Sequence, residues 1–578
     1  MRLKNFVIDH REFIIGLILT ISLLWPLFAA SYFTHHDNVQ VIRLYEMDKC
    51  FKDGQIPCRW VPDLGGVYGY PLFNYYAPLA YYWGEIFYKI FGSLIISAKV
   101  MFATAFVGSY IFMFLLGKKI WGEKGGALSA IFYSFAPYHS VLFYVRGAMG
   151  ELWGVMFFPA ILWSILRLEE HESVTNMLLL ALFSAGLLLS HNLSAMIFLP
   201  IVLAFAIILT IHRKFNLFNY LKSAFTIFVF LGLMLGLFLG AVYVLPTLVE
   251  KNLVHVETTT YGYFSYTEHF KGLKKLFIER MWGWGASVRE VPGGEKDGLS
   301  FQIGWIHILG WVLALWSFMR IRQTNPQQAK IIIFSTVAIL LAVFMINPRS
   351  EFVWKAVEPL KYLQFPWRFL GVIIFFISVT LGSVLTVLNK KFVSMVWFGL
   401  VILVVALNFS YFRPEKFLPV SDEYYLTGDE WDRQIKRSIF DFLPIYAKAP
   451  PAELATSRYE ILTGETTVSD FKQGTNWFNF TADTKSHTII RLSQYYFPNW
   501  IIKVDGQQTK VDYENDLGLM TIILGTGTHF VEARLYDTQI RLAANKLSLI
   551  AAVLVLVLAL LQIQKIRKWL LYYLRRIG

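Results

Sequence analysis

The chain has 578 residues, 56% of them apolar and only 16% charged, with a mean hydropathy of +0.49 and a formal net charge of +13. That balance lies far from a soluble globular protein. The basic excess falls in short loops between apolar runs, with no basic stripe interleaved with aromatics, so nucleic acid is not an expected partner.

About twenty apolar residues cross a hydrocarbon core roughly 30 Å thick at about 1.5 Å rise each. Stretches near 13–33, 95–116, 126–142, 151–166, 175–190, 193–211, 223–245, 304–319, 331–346, 368–388, 393–411 and 547–563 predict about twelve such helices, the third and fifth being short for a crossing. Alternate connections carry the Lys and Arg residues: Arg2, Lys4 and Arg11; Lys118, Lys119 and Lys124; Arg167; Arg213, Lys214 and Lys222; Arg320, Arg322 and Lys330; Lys390 and Lys391; and the tail from Lys565 to Arg576. Positive charge stays inside, so both termini are expected in the cytoplasm. The first helix has no small-residue cleavage site and reads as an uncleaved anchor. The outer face then receives 34–94, 246–303, 347–367 and 412–541, and the protein reads as multi-pass in the cell membrane.

At the first exit stands Thr34-His35-His36-Asp37-Asn38, ahead of an expected helix from Asn38 to Phe51. On such a helix Asp37, Val41, Leu44 and Asp48 share a face, with the two carboxylates roughly 16 Å apart. They can neither clasp one metal nor act as a close acid/base pair. Asp37 suits a helix N-cap as well as a reacting base. His35 and His36 have no ligand spacing with anything nearby. Cys50 and Cys58, the only cysteines, lie in this loop and either pair or remain free. Tyr70 to Phe91, dense in Tyr and Trp, reads as interfacial helix rather than as a span.

Later outer turns hold further polar groups. Arg146 and Glu151 flank Gly147 and Gly150; the arginine fork suits a phosphate, and the pair also suits a salt bridge that holds the turn. His191 and Asn192 sit between two apolar helices with almost no loop, where polar groups are costly. Trp282-Gly283-Trp284-Gly285, Gly298 to Gln302 and Gln364-Phe365-Pro366-Trp367-Arg368-Phe369 follow, with Arg368 at a helix mouth beside aromatics that suit either a sugar face or an interfacial anchor. Together they bring an acid, two arginines, a histidine and an asparagine to one membrane face. Beyond Phe412 the pattern changes to period two at 488–492, 500–504, 519–523 and 530–535, with Asp505-Gly506 as a hairpin turn. The expected organisation is a membrane domain over 1–411, an extracytoplasmic β-rich domain over 412–541, and a final transmembrane helix with a basic tail over 542–578. The fold class is mainly α.

His36-Asp37, Gly54 to Trp60, Gly65-Gly66, Gly69 to Tyr76, Tyr144 to Gly147, Ser190 to Asn192 and Gln364 to Leu370 resemble bacterial membrane proteins catalogued as 6-pyruvoyl-tetrahydropterin synthase-related, and the YfhO-type proteins. Soluble pterin synthases are small zinc enzymes, and no matching His triad is present. The broader resemblance is to the GT-C glycosyltransferases, with many membrane helices and a catalytic acid early in the first outer loop. It implies a polyprenyl-phosphate sugar donor, a glycan, lipid or protein acceptor, and transfer with inversion. Asp37 would be the base. Arg146, His191 and Arg368 would neutralise the phosphate, Glu151 or Asn192 would position a substrate, and His36 would line the site. Some relatives carry a second acid next to the first; here it is Asn38, so a divalent cation stays open. A transporter or flippase is the main rival reading, and an envelope-binding scaffold the third.

Overall fold

The structure, a computed structural model, describes residues 10–210, 223–289, 294–437 and 442–577, with side chains up to 564. Arg2, Lys4, Arg213, Lys214 and Lys222, counted above for topology, lie outside the described residues, as do the side chains of the basic tail.

The protein is mainly helical, and each expected apolar stretch is helical over much of its described length. Seven described helices are long and apolar enough to cross a membrane, or eight when a bent pair counts as one. The difference from twelve has local causes. The first helix, Arg11–Ser22, has 12 residues and gives way to a 3-10 turn at Trp25–Phe28. Leu94–Ser134 holds two of the expected spans, broken at Gly122, whose φ of 77° no helix allows. Beyond the break the chain doubles back. A Cβ on Gly117 would lie 2.8 Å from Gly126 Cα and 3.1 Å from Ser129 Cβ, so small residues let the two arms touch. Val174–Ser190 has only 17 residues, and Ala224–Leu239 meets Ala241–Val249 at 74°.

Burial separates the centre of the bundle from its rim. Within their apolar windows, Met149–Glu170 is 94% buried and Pro366–Thr386 89%, whereas Gln539–Gln564 is 11% buried. A helix apolar all round that lacks protein neighbours has lipid as its natural solvent. This is a multi-pass membrane protein.

Tyr70 to Phe91 forms two short helices, Leu72–Tyr75 and Leu79–Phe91, neither long enough to span. The helix expected from Asn38 runs from Gln40 to Lys52, and Cys50 at its end is disulfide-bonded to Cys58.

The β region holds two antiparallel sheets. One has the order 466–473, 477–484, 527–535, 500–504 and 507–508; the other has the order 459–463, 488–495 and 519–524. Asp505 and Gly506, with φ of 51° and 80°, form the two-residue turn into Gln507–Gln508. Period two is visible in Trp477–Thr484, where Phe478, Phe480 and Ala482 are buried. They share a core with Trp60 of the first loop, whose ring lies 5.7 Å from Phe497 and 5.9 Å from Trp500. The segment 412–541 is not β throughout. It includes the helices Asp422–Leu426 and Gly428–Arg437, and the last helix begins at Gln539.

Candidate active site

After the first helix the chain forms a short strand, Tyr32–Phe33, paired antiparallel with Phe417–Leu418. It then runs beside residues 145–147. His36 N–H donates to Val145 O at 2.9 Å and Asp37 N–H to Arg146 O at 2.8 Å. Gln40 Nε2 donates to Gly147 O at 2.8 Å. Gly147 is required here on two counts: its φ is 63°, and a Cβ would lie 2.4 Å from His35 Nδ1. Arg146 itself ends a π-helical turn, its N–H donating to Val141 O at 2.8 Å, five residues back. Such turns often occur where a helix re-aims a side chain.

Asp37 is exposed, and it does not cap the helix that follows: Val39 takes that position and no side chain caps it. Asp48, at the far end of that helix, is held by Lys52 at 2.7 Å and Lys89 at 2.5 Å, away from Asp37.

Behind Asp37 lies a buried ionic cluster centred on Glu151. Its Oε2 receives Arg146 Nη1 at 2.8 Å and lies 3.8 Å from Arg368 Nε; its Oε1 accepts from the Tyr138 hydroxyl at 2.5 Å. Arg368 Nη1 donates to His191 Nε2 at 3.3 Å and Nη2 to Gln364 Oε1 at 3.3 Å. His191 Nδ1 is 2.7 Å from Ser194 Oγ. The Ser194 backbone N–H also donates to Nδ1, at 3.1 Å, so both ring nitrogens face N–H donors. Burial, and then the neighbouring Arg368 guanidinium, hold the His191 pKa down to about 3, so the ring is neutral at physiological pH. The arginines rest on aromatic faces, Arg146 at 4.6 Å from the Trp367 centroid and Arg368 at 5.2 Å from that of Phe365. Arg368 Nε–H is buried with no hydrogen-bond acceptor among the described residues.

The structure thus gathers Arg146, Glu151, His191 and Arg368, with Asp37 joined to them through its backbone N–H to Arg146 O. The salt-bridge reading of Arg146 and Glu151 is realised, with Arg368 as a third member. His36 turns aside, its Nε2 2.7 Å from Trp284 O on the loop where Gly285 N–H donates to Gly298 O at 3.0 Å. Asn192 Oδ1 accepts the N–H of the next residue, Leu193, at 3.0 Å. The aromatics beside Arg368 serve the guanidinium groups. Tyr138 was not expected; its signal was the polar step Pro137-Tyr138-His139-Ser140 within a mostly apolar run. Gln40 and Ser194 carried no signal. Among the described residues no group of three or more His, Cys, Asp or Glu side chains converges as a metal site.

Residues 76–238 match the family profile described as dolichyl-phosphate-mannose-protein mannosyltransferase. That stretch contains Arg146, Glu151, His191 and Asn192 but neither Asp37 nor Arg368. An uncharacterized protein of Lactococcus lactis subsp. cremoris (strain MG1363) is 26% identical over 227 residues, 38% of this chain and 37% of its own. Among solved structures, the apo oligosaccharyltransferase of Archaeoglobus fulgidus is 12% identical with a TM-score of 0.47, over 78% of this chain and 61% of that one. The ArnT protein of Cupriavidus metallidurans bound to undecaprenyl phosphate is 11% identical with a TM-score of 0.39, over 68% and 62%. The chain therefore spans just over a third of the curated relative and about three fifths of each structure.

Proposed function

We propose that the protein is an integral membrane glycosyltransferase of the GT-C type, moving a sugar from a polyprenyl-phosphate donor to an acceptor on the extracytoplasmic side. The observation that carries this reading is the charge of the Glu151 cluster. Two buried guanidiniums share one carboxylate, which leaves a net single positive charge beside the exposed Asp37. Its further counter-ion is the exposed Asp37, which acts on both arginines but is screened by water, so the buried positive charge can still take an anion, and a phosphate fits the fork geometry of arginine. The match of residues 76–238 to a lipid-phosphate sugar transferase family supports the same class.

In this reading an acceptor hydroxyl approaches Asp37, whose carboxylate takes the proton as the oxygen attacks the anomeric carbon. The new C–O bond forms as the bond from that carbon to the phosphate oxygen breaks, and the polyprenyl phosphate leaves with the electron pair. A single displacement inverts the anomeric centre. Arg146 and Arg368 stabilise the charge that grows on the leaving phosphate, Glu151 fixes both forks, and neutral His191 orients Arg368 without adding a competing charge. His36 and Asn192 remain proposed substrate contacts, and the acceptor is a glycan, lipid or protein.

The test is Asp37→Asn, assayed by transfer of labelled sugar from a polyprenyl-phosphate donor pool to envelope material. Loss of a general base is expected to lower the rate by about 10²–10⁴-fold, with expression and membrane insertion unchanged. Undiminished transfer in this variant removes Asp37 from the reaction. Flux of a lipid-linked substrate across proteoliposomes with no glycosylated product would instead favour the carrier reading.

A further inference from the structure

A cavity of about 740 Å³, in the range of small-molecule sites, opens beside the turn that follows the first helix and shares no residue with the Glu151 cluster. Leu27, Phe28, Val100 and Ala103 make its wall apolar, and Lys99, Asp422 and Glu423 also line it. The Leu94–Ser134 helix sets the depth of these groups. Its start is capped by Asp422, which accepts from Leu94 N at 2.7 Å, Ile95 N at 2.9 Å and the Ser93 hydroxyl at 3.2 Å. The charge of Asp422 is therefore spent on a helix N-terminus. Lys99 lies roughly 8 Å along the axis from Leu94, and Ala103 roughly 14 Å, at about 1.5 Å per residue. The polar end of the cavity is at the helix start and the apolar end is deeper.

Lys99 is half-buried. Its Nζ donates to Ala29 O at 2.7 Å, and no carboxylate pairs with it among the described residues. An ammonium group on the apolar wall of a membrane helix, with donors to spare and no counter-ion, calls for an anionic ligand. Glu423, exposed at the same cavity, repels a headgroup that is only anionic and attracts one that also ends in an ammonium. We propose that the cavity holds a bilayer phospholipid with a primary-amine headgroup, its phosphodiester at Lys99, its ammonium at Glu423 and one acyl chain along Val100 and Ala103. The ligand would join Leu24–Ala30 to Val420–Glu423. Those two segments flank the paired strands Tyr32–Phe33 and Phe417–Leu418, so an occupied cavity braces the segment that presents Asp37.

The full chain is purified in mild detergent and moved into phosphatidylcholine nanodiscs doped in turn with phosphatidylethanolamine, phosphatidylglycerol or a polyprenyl phosphate; retained lipid is read by native mass spectrometry. One phosphatidylethanolamine is expected per chain, held about tenfold better than phosphatidylglycerol or phosphatidylcholine, the worth of one charge-assisted hydrogen bond. Lys99→Met is expected to weaken retention of every phospholipid, and Ala103→Trp to fill the apolar end and lose it. Glu423→Gln is expected to erase the preference for phosphatidylethanolamine over phosphatidylglycerol. The proposal is overturned if the natural chain holds phosphatidylglycerol equally well, if polyprenyl phosphate displaces the phospholipid, or if Ala103→Trp retains it. Should Lys99→Met fail to insert, the exposed Glu423→Gln decides the outcome alone.

Discussion

Glu151 is the residue on which the cluster turns, because its buried carboxylate faces two buried guanidiniums. Glu151→Gln is expected to cost about 3–5 kcal/mol, the usual penalty for leaving buried charge without its partner, and thermal unfolding in detergent measures it. His191 gives a pH dependence with a definite sign. Its pKa of about 3 lies below the value near 6.5 of an unfolded chain, so between those values the unfolded form binds the extra proton. Stability is therefore expected to be full above about pH 6.5 and to fall as pH drops toward 3. His191→Gln should flatten that slope in melts run across the range, and Arg368, Glu151 and Arg146 are the charged groups facing the ring. The sequence named four of these partners, since charged residues at the ends of apolar runs stand out. It did not order them: nothing in the spacing of Glu151, Arg146 and Arg368 says which arginine takes the short bond.

At the scale of elements, the juxtaposition of residues 36–37 with 145–147 depends on a glycine. Gly147→Ala is expected to cost about 1–3 kcal/mol through its left-handed backbone, with a further clash against His35. Adding His35→Ala should recover the clash and leave the backbone cost, a difference that a pair of melts separates. Helix existence was legible from apolar run length, and the Asp505-Gly506 turn from its dipeptide. Span number was not. The break at Gly122 was legible, since Lys118, Lys119, Glu123 and Lys124 interrupt the apolar run there; the 74° bend between Leu239 and Ala241 is set by how arms pack against neighbours, which no window of hydropathy contains. The helices at 422–437 were missed for the opposite reason: they lie in a polar stretch without a long apolar face.

For the whole molecule, the first loop is the keystone between bundle and β region. Trp60 sits in the β core, Gln55 Nε2 donates to Thr475 Oγ1 at 2.9 Å, and Asp53 Oδ2 accepts from Thr475 N at 2.7 Å. The Cys50–Cys58 bond closes the stretch that carries Gln55 and Asp53. Trp60→Ala is expected to cost about 3–5 kcal/mol and to make the β region more sensitive to protease, with less effect on the bundle. That loop was legible as aromatic and turn-rich, but its partners lie some 400 residues away in the chain.

The pairing of Tyr32–Phe33 with Phe417–Leu418 has a consequence for biosynthesis. At roughly 5–20 residues per second, on the order of half a minute separates emergence of the two strands from the ribosome. During that interval the nascent chain holds its Asp37 segment without the partner strand, so the site would be completed only once about seven tenths of the chain is made. A chain stopped before Phe417 should still enter the membrane, yet leave Tyr32–Phe33 open to proteolytic cutting.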